Sequence, residues 1–143
     1  MLTLANSFMG ACFAGTARAA LEMAIDYAKE RVQGGVPIYK HQSVQSRIFK
    51  MFSRVEAARG LSRRVLAGNA ANPPGNVQYS IASKTYCTQT AFDVASDALQ
   101  IFGGNGLTKE YPIEKVMRDA RASMIEDGCN EILGLVGAGR LFD

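Results

Sequence analysis

HQSVQSRIFKMFSRVEAARG, residues 41–60, places Val44, Ile48, Met51, Val55 and Ala58 at steps of four, three, four and three. That period gathers all five on one helical face and leaves Arg47, Lys50, Arg54 and Arg59 to the others, so the segment reads as a helix with a seam for partner helices. The seam runs on through Leu61 and Val65 to Gly68, beyond which Asn72-Pro73-Pro74-Gly75-Asn76 imposes a loop. Upstream, Leu4, Phe8, Ala11, Gly15, Leu21, Ile25 and Ala28 predict a long helix from Leu4 to about Val32. Gly34-Gly35 is expected to end it and Pro37 to prevent its resuming. Downstream, Ile81, Ala91, Phe92, Val94, Ala95, Ala98, Leu99 and Phe102 form the stripe of a third helix from about Val77, ended at Gly103-Gly104-Asn105-Gly106. Tyr111-Pro112 starts a fourth, with Ile113, Val116, Met117, Ala120 and Met124 inward, which Asp127-Gly128 interrupts. A last segment from about Asn130 carries Ile132, Leu135 and Val136. No stretch alternates with period two and nothing supports a sheet. The expected fold is therefore all-α, an antiparallel four-helix bundle forming one domain over residues 1–143.

Composition agrees with a globular chain: 143 residues, 48% hydrophobic, 20% charged, 14 Gly and 4 Pro. Sixteen Lys and Arg against thirteen Asp and Glu leave a net charge of +3, too mild to demand a polyanionic partner. Arg47, Lys50 and Arg54 lack the interleaved aromatics of a nucleic-acid surface and read as a solvated face. Cys12, Cys87 and Cys129, widely spaced and with His41 the only histidine, build neither a disulfide framework nor a metal site, which suits a reducing compartment. The uncharged residues 1–17 have no cation before Arg18, and Thr3, Asn6, Ser7 and Thr16 dilute them. They read as neither signal peptide nor membrane span, but as part of a helix buried on most sides inside an assembly.

Two features could carry chemistry. The glycine cluster at 103–106 could offer backbone N–H groups to a phosphate, although a helix C-cap and turn is the ordinary reading and no strand precedes it. Glu126 and Asp127 stand where a helix breaks, where a carboxylate can act as a general base or simply be solvated. Successive helical positions point about 100° apart, so at most one of the two could address a given substrate atom.

The blocks ALEMAIDYAKER at 20–31, HQSVQ at 41–45, ALQIFGGNG at 98–106, EYPIEKVMRDAR at 110–121 and DGCNEI at 127–132 closely resemble the C-terminal helical domain of the acyl-CoA dehydrogenases, in order and over essentially the whole chain. The resemblance implies FAD as cofactor, an acyl-CoA substrate, a homodimer or homotetramer built through the bundle, electron-transferring flavoprotein as electron acceptor, and a cytoplasmic or mitochondrial-matrix location. It implies α,β-desaturation, in which a carboxylate removes the α-proton and FAD takes the β-hydride. By the same resemblance Arg31 and Gln42 match residues at a neighbouring subunit's FAD, and Gln100, Gly103 and Gly104 those that hold the FAD tail. Cys129 and Glu131 fall where the family has Thr and Gln or Glu after the catalytic loop. The acid and the glycine bend are expected to meet on one flavin that is shared between protomers.

Anchored on Arg118-Asp119-Ala120, the family's catalytic Glu falls on Asp127, with Glu126 as the less favoured alternative. Aspartate is one methylene shorter, about 1.5 Å of reach. The base that some members take from an earlier helix would fall near Ala5, where no carboxylate precedes Glu22. An arginine of many members corresponds to Asn6, and the Phe of R-x-x-F-G to Gly34. These departures leave two alternatives beside the dehydrogenase: a non-catalytic helical assembly module, and an acyl-CoA oxidase-like flavoenzyme. The family's N-terminal helical and β-domains have no counterpart in these residues, so the chain by itself is expected to be inactive.

Overall fold

In the computed structural model, which describes residues 2–142, five helices follow one another: α1 (Leu2–Glu30), α2 (Gln42–Ala71), α3 (Val77–Phe102), α4 (Ile113–Ser123) and α5 (Asn130–Gly139). α1 and α3 run parallel, since Ser7 meets Ser80 at one end and Tyr27 meets Phe102 at the other. α2 runs against both, with Asn69 on Ser80 and Arg47 on Asp97. α4 and α5 descend α3 together as one interrupted rod: Arg121 lies over the Phe92 ring, Asn130 bonds Thr88, and Gly137 abuts Ile81. The architecture is the expected up-down-up-down bundle, its fourth rod broken at residues 124–129.

The seam that decided the fold class is buried as its period requires. Met51, Val55 and Ala58 are buried, while Val44 and Ile48 pack on the rim of the core. The most extensive helix pairing is α1 with α3. It is made by small residues, with Ala17, Ala20, Ala24 and Ala28 sharing a core with Ala91, Ala95 and Ala98, which lets two backbones approach closely. Gly10 is the tightest point, for a Cβ there would lie 2.2 Å from Ser83 Oγ and 3.0 Å from the Ser83 backbone carbon. Polar bonds fix the lower end. Asn69 Nδ2 donates to Ser7 Oγ and Ser80 Oγ, and Asn69 Oδ1 accepts from Asn76 N–H, while the Asn76 side chain caps α3 by accepting from Tyr79 N–H.

Two expectations, the helix stop at Gly34-Gly35 and the absence of any sheet, need correction. α1 ends at Glu30, and Gly34-Gly35 is the turn of a two-stranded antiparallel hairpin, β1 (Val32–Gln33) and β2 (Val36–Pro37), not a helix stop. Both glycines have positive φ, +63° and +81°, the backbone that a two-residue hairpin turn demands. The hairpin is exposed and takes no part in the core. On α5, Ile132, Leu135 and Val136 face outward, and Leu133 and Gly137 make the contact. In α1, Leu4 and Phe8 stand 77% and 65% exposed in the single chain, an uncovered apolar face of the kind an assembly would cover. Among the described residues no helix is long and apolar enough to cross a membrane, and no group of His, Cys, Asp or Glu is gathered for a metal ion.

Candidate functional site

The break in the fourth rod is a built structure. Ala122 O accepts from both Ile125 N–H and Glu126 N–H, and Met124 O accepts from Asn130 N–H at 3.0 Å, closing the link between α4 and α5. Within it the chain passes through two residues of positive φ, Asp127 (φ +52°) and Gly128 (φ +95°), before resuming the same direction in α5. Glycine is required at 128 twice over: L-residues avoid that φ, and a Cβ would press on the Leu133 side chain at 3.2 Å. Aspartate at 127 tolerates the left-handed region better than most residues but still carries strain there. Glu126, Asp127 and Glu131 are exposed, and Cys129, half-buried, is the N-cap of α5 without a side-chain cap bond. Glu126 edges a cavity of about 420 Å³ between α1 and α4, shared with Phe13, Thr16 and Val116.

Beneath the break lies a residue that the sequence reading missed. Lys84 of α3 is fully buried, and its Nζ donates to Gly128 O at 2.8 Å and to Asn130 Oδ1 at 2.9 Å. Asn130 Nδ2 in turn donates to Thr88 Oγ1 at 3.0 Å. Burial pushes the Lys84 ammonium below the ordinary lysine range, while Asp127, then Cys129, Glu126 and Glu131, act electrostatically to hold the proton on it. Asp127 is the strongest of these charged neighbours, so of the two adjacent acids it is the one more strongly coupled to the buried cation.

The other sequence-predicted residues gather at the far end. Gly103 (φ +61°) closes α3, its N–H bonded to Leu99 O and Gln100 O. Tyr27 ties this bend to α1: its hydroxyl donates to Phe102 O at 3.3 Å and accepts from Asn105 Nδ2 at 2.9 Å, and its ring stacks on Phe102 at 4.1 Å. Gln100, His41, Ser43 and Gln33 line one cavity of about 320 Å³, with Gln42 in the adjoining first turn of α2. Arg31 joins the same end through its carbonyl, which accepts from Ile38 N–H. Arg31, Gln42 and Gln100 are exposed, and at Gly103 and Gly104 the space a Cβ would take is open. The exposed Arg31 guanidinium and the Gln42 and Gln100 carboxamides are hydrogen-bond donors at this end, while the Gly103 N–H is already used in closing α3. His41 Nε2 lies 3.1 Å from Gln33 O and serves the hairpin.

The acid and the bend do not meet within one chain. The break packs against α3 at Lys84 and the bend begins at Gly103, roughly 28 Å further along the helix at its usual rise per residue. Within one chain they are therefore two sites at different levels of the bundle.

Residues 3–142 match the family described as acyl-CoA dehydrogenase, C-terminal domain. The short-chain specific acyl-CoA dehydrogenase of Megasphaera elsdenii is 38% identical over 143 residues, covering 99% of this chain and 37% of that protein. Butyryl-CoA dehydrogenase from Megasphaera elsdenii superposes with a TM-score of 0.94 at 34% identity, again over 99% of this chain and 37% of the other. A chain in the structure of the electron transferring flavoprotein of Acidaminococcus fermentans matches with a TM-score of 0.91 at 34% identity, over 98% of this chain and 37% of its own length. The chain thus spans little more than a third of the relatives it matches.

Proposed function

Because the chain belongs to the acyl-CoA dehydrogenase family, of which it is the C-terminal helical domain, we propose that it supplies the base and part of the cofactor site of an FAD-dependent α,β-desaturation of an acyl-CoA thioester. The observation that carries this is the broken fourth rod, which presents Asp127 at a strained turn over a buried cation while the rest of the bundle stays regular. Asp127 takes the proton from the α-carbon of the thioester. FAD, when bound, supplies the acceptor for the hydride leaving the β-carbon. Proton and hydride together account for the carbon–carbon double bond formed.

The far end has a separate task in this reading. Arg31, Gln42, Gln100, Gly103 and Gly104 hold the diphosphate of an FAD bound mainly by a neighbouring copy, and Cys129 and Glu131 border the flavin beside the base. That division follows from the separation of the two sites along α3. It also gives the exposed Leu4 and Phe8 an occupant, a second copy of the bundle in a homodimer or homotetramer. Electron-transferring flavoprotein is the proposed acceptor of the electrons. Both Megasphaera relatives are dehydrogenases, which favours this reading over the assembly module and the oxidase.

The test is Asp127→Asn beside Glu126→Gln in the holoenzyme carrying this chain, with bleaching of the flavin by acyl-CoA followed without air. Asp127→Asn is expected to slow bleaching by about 100-fold or more, the usual contribution of a general base, with Glu126→Gln near wild type. Loss confined to Glu126→Gln would move the base to the neighbouring residue.

A further inference from the structure

The fold keeps a lysine where its own core gives no reason for one. Lys84 sits mid-helix between Ser80 and Thr88, fully buried, at a position where an apolar side chain would avoid the desolvation of an ammonium. Its hydrogen bonds, among the described residues, end on the break: the carbonyl of Gly128 and the side chain of Asn130. Asn130 is itself held by Thr88 one turn along α3. Two anchors on one helix therefore grip the chain on the C-terminal side of Asp127, while the bond from Asn130 N–H to Met124 O closes the link across its base. With its following carbonyl pinned, Asp127 has little freedom to relax from φ +52° towards an ordinary backbone.

We propose that Lys84 is a positioning residue for the candidate base, its buried ammonium pinning Gly128 O and Asn130 Oδ1 so that Asp127 is held out from the break in a left-handed conformation. This rests on the reading of Asp127 as the base. The clamp is what allows a side chain one methylene short to work, because the backbone instead of the side chain fixes where the carboxylate sits. Misplacing a proton-transfer group by about 1 Å costs on the order of a hundredfold in rate. Cys129 and Glu131 lie on the clamped segment, whereas the diphosphate contacts proposed for Arg31, Gln42, Gln100, Gly103 and Gly104 at the far end are untouched by the clamp.

The experiment uses the holoenzyme carrying this chain, with Lys84→Met, which keeps length and removes donors and charge, and Lys84→Gln, which keeps a donor. Lys84→Met is expected to bind flavin fully and keep KM for acyl-CoA within about twofold, while flavin bleaching slows on the order of a hundredfold. Lys84→Gln should recover a large part of that loss. A Lys84→Met enzyme that bleaches at nearly the wild-type rate overturns the proposal, and so does a loss shared by flavin content, KM and melting temperature, which is what mere support of the fold would give. Should Lys84→Met not fold, Lys84→Gln and Asn130→Ala, the latter at a half-buried position, decide by the same split. Asp127→Asn in parallel separates the two claims. Wild-type bleaching in that variant ends the base reading, whereas a dead Asp127→Asn beside an unaffected Lys84→Met ends the clamp alone.

Discussion

Replacing Asp127 by Gly and, separately, by Ala tests whether the break is held as described. Both substitutions remove the carboxylate and its attraction to Lys84, so that contribution cancels when the two variants are compared with each other. What remains is the backbone. At an ordinary loop or helix position Ala is the more stable of the pair by roughly 0.4–1 kcal/mol, because Gly frees the unfolded chain. At φ +52° an L-residue instead carries about 1–2 kcal/mol of left-handed strain that Gly lacks. The sign therefore reverses, and Asp127→Gly should exceed Asp127→Ala by about 0.5–1 kcal/mol, a difference in melting temperature of about 2–4 °C for a chain of this size. Urea unfolding followed by far-ultraviolet circular dichroism, fitted with a common m-value, measures it. An Ala variant as stable as the Gly variant, or more so, would show that residue 127 is not left-handed in solution, and the argument for a strained, presented base would go with it.

Two further outcomes follow from the packing. Gly10→Ala should destabilise the chain, since overpacking against Ser83 costs about 1–3 kcal/mol and the helix-propensity gain returns only about 1, whereas Gly60→Ala, on α2 with open space at its Cβ, should stabilise it by up to about 1 kcal/mol; thermal melts of both variants check the opposite signs. Burial pushes the Cys87 thiol from 9.0 up to about 11, so between those values the unfolded chain loses this proton before the folded one does and stability falls as pH rises. Lys84, with its ammonium lowered by burial, works in the opposite direction at high pH, so the comparison is wild type against Cys87→Ala: the mutant should lack the Cys87 part of the decline, and in the wild type a thiol reagent should label exposed Cys12 long before Cys87.

The rods were legible because burial on one face imposes a period that Met51, Val55 and Ala58, or Ala91, Val94 and Ala98, display directly. The hairpin was not, because Gly34-Gly35 after a helix satisfies two local rules at once, a helix stop and a two-residue turn, and only the pairing of Val32 with Pro37 decides between them. Which face of α5 packs was not legible either, since α5 meets α3 along a line through Asn130, Leu133 and Gly137 that leaves Ile132, Leu135 and Val136 outside. At the site, the break and its acids could be read from Asp127-Gly128. Lys84 could not, because Ser83-Lys84-Thr85 looks like a solvated face and its acceptor is a backbone carbonyl forty-four residues away, which no side-chain pattern marks. The separation of acid from bend was equally hidden, although the length of α3 already contained it.

Because α4 and α5 each lean on α3, the short link between them can vary at its exposed positions, Glu126 and Asp127 among them, while Gly128 and Asn130 stay fixed and the flanking helices keep their seats. A lineage can therefore exchange a longer acid for a shorter one, or shift it by a position, through adjustments confined to half a dozen residues, leaving the bundle and any surfaces it shares with other copies as they were.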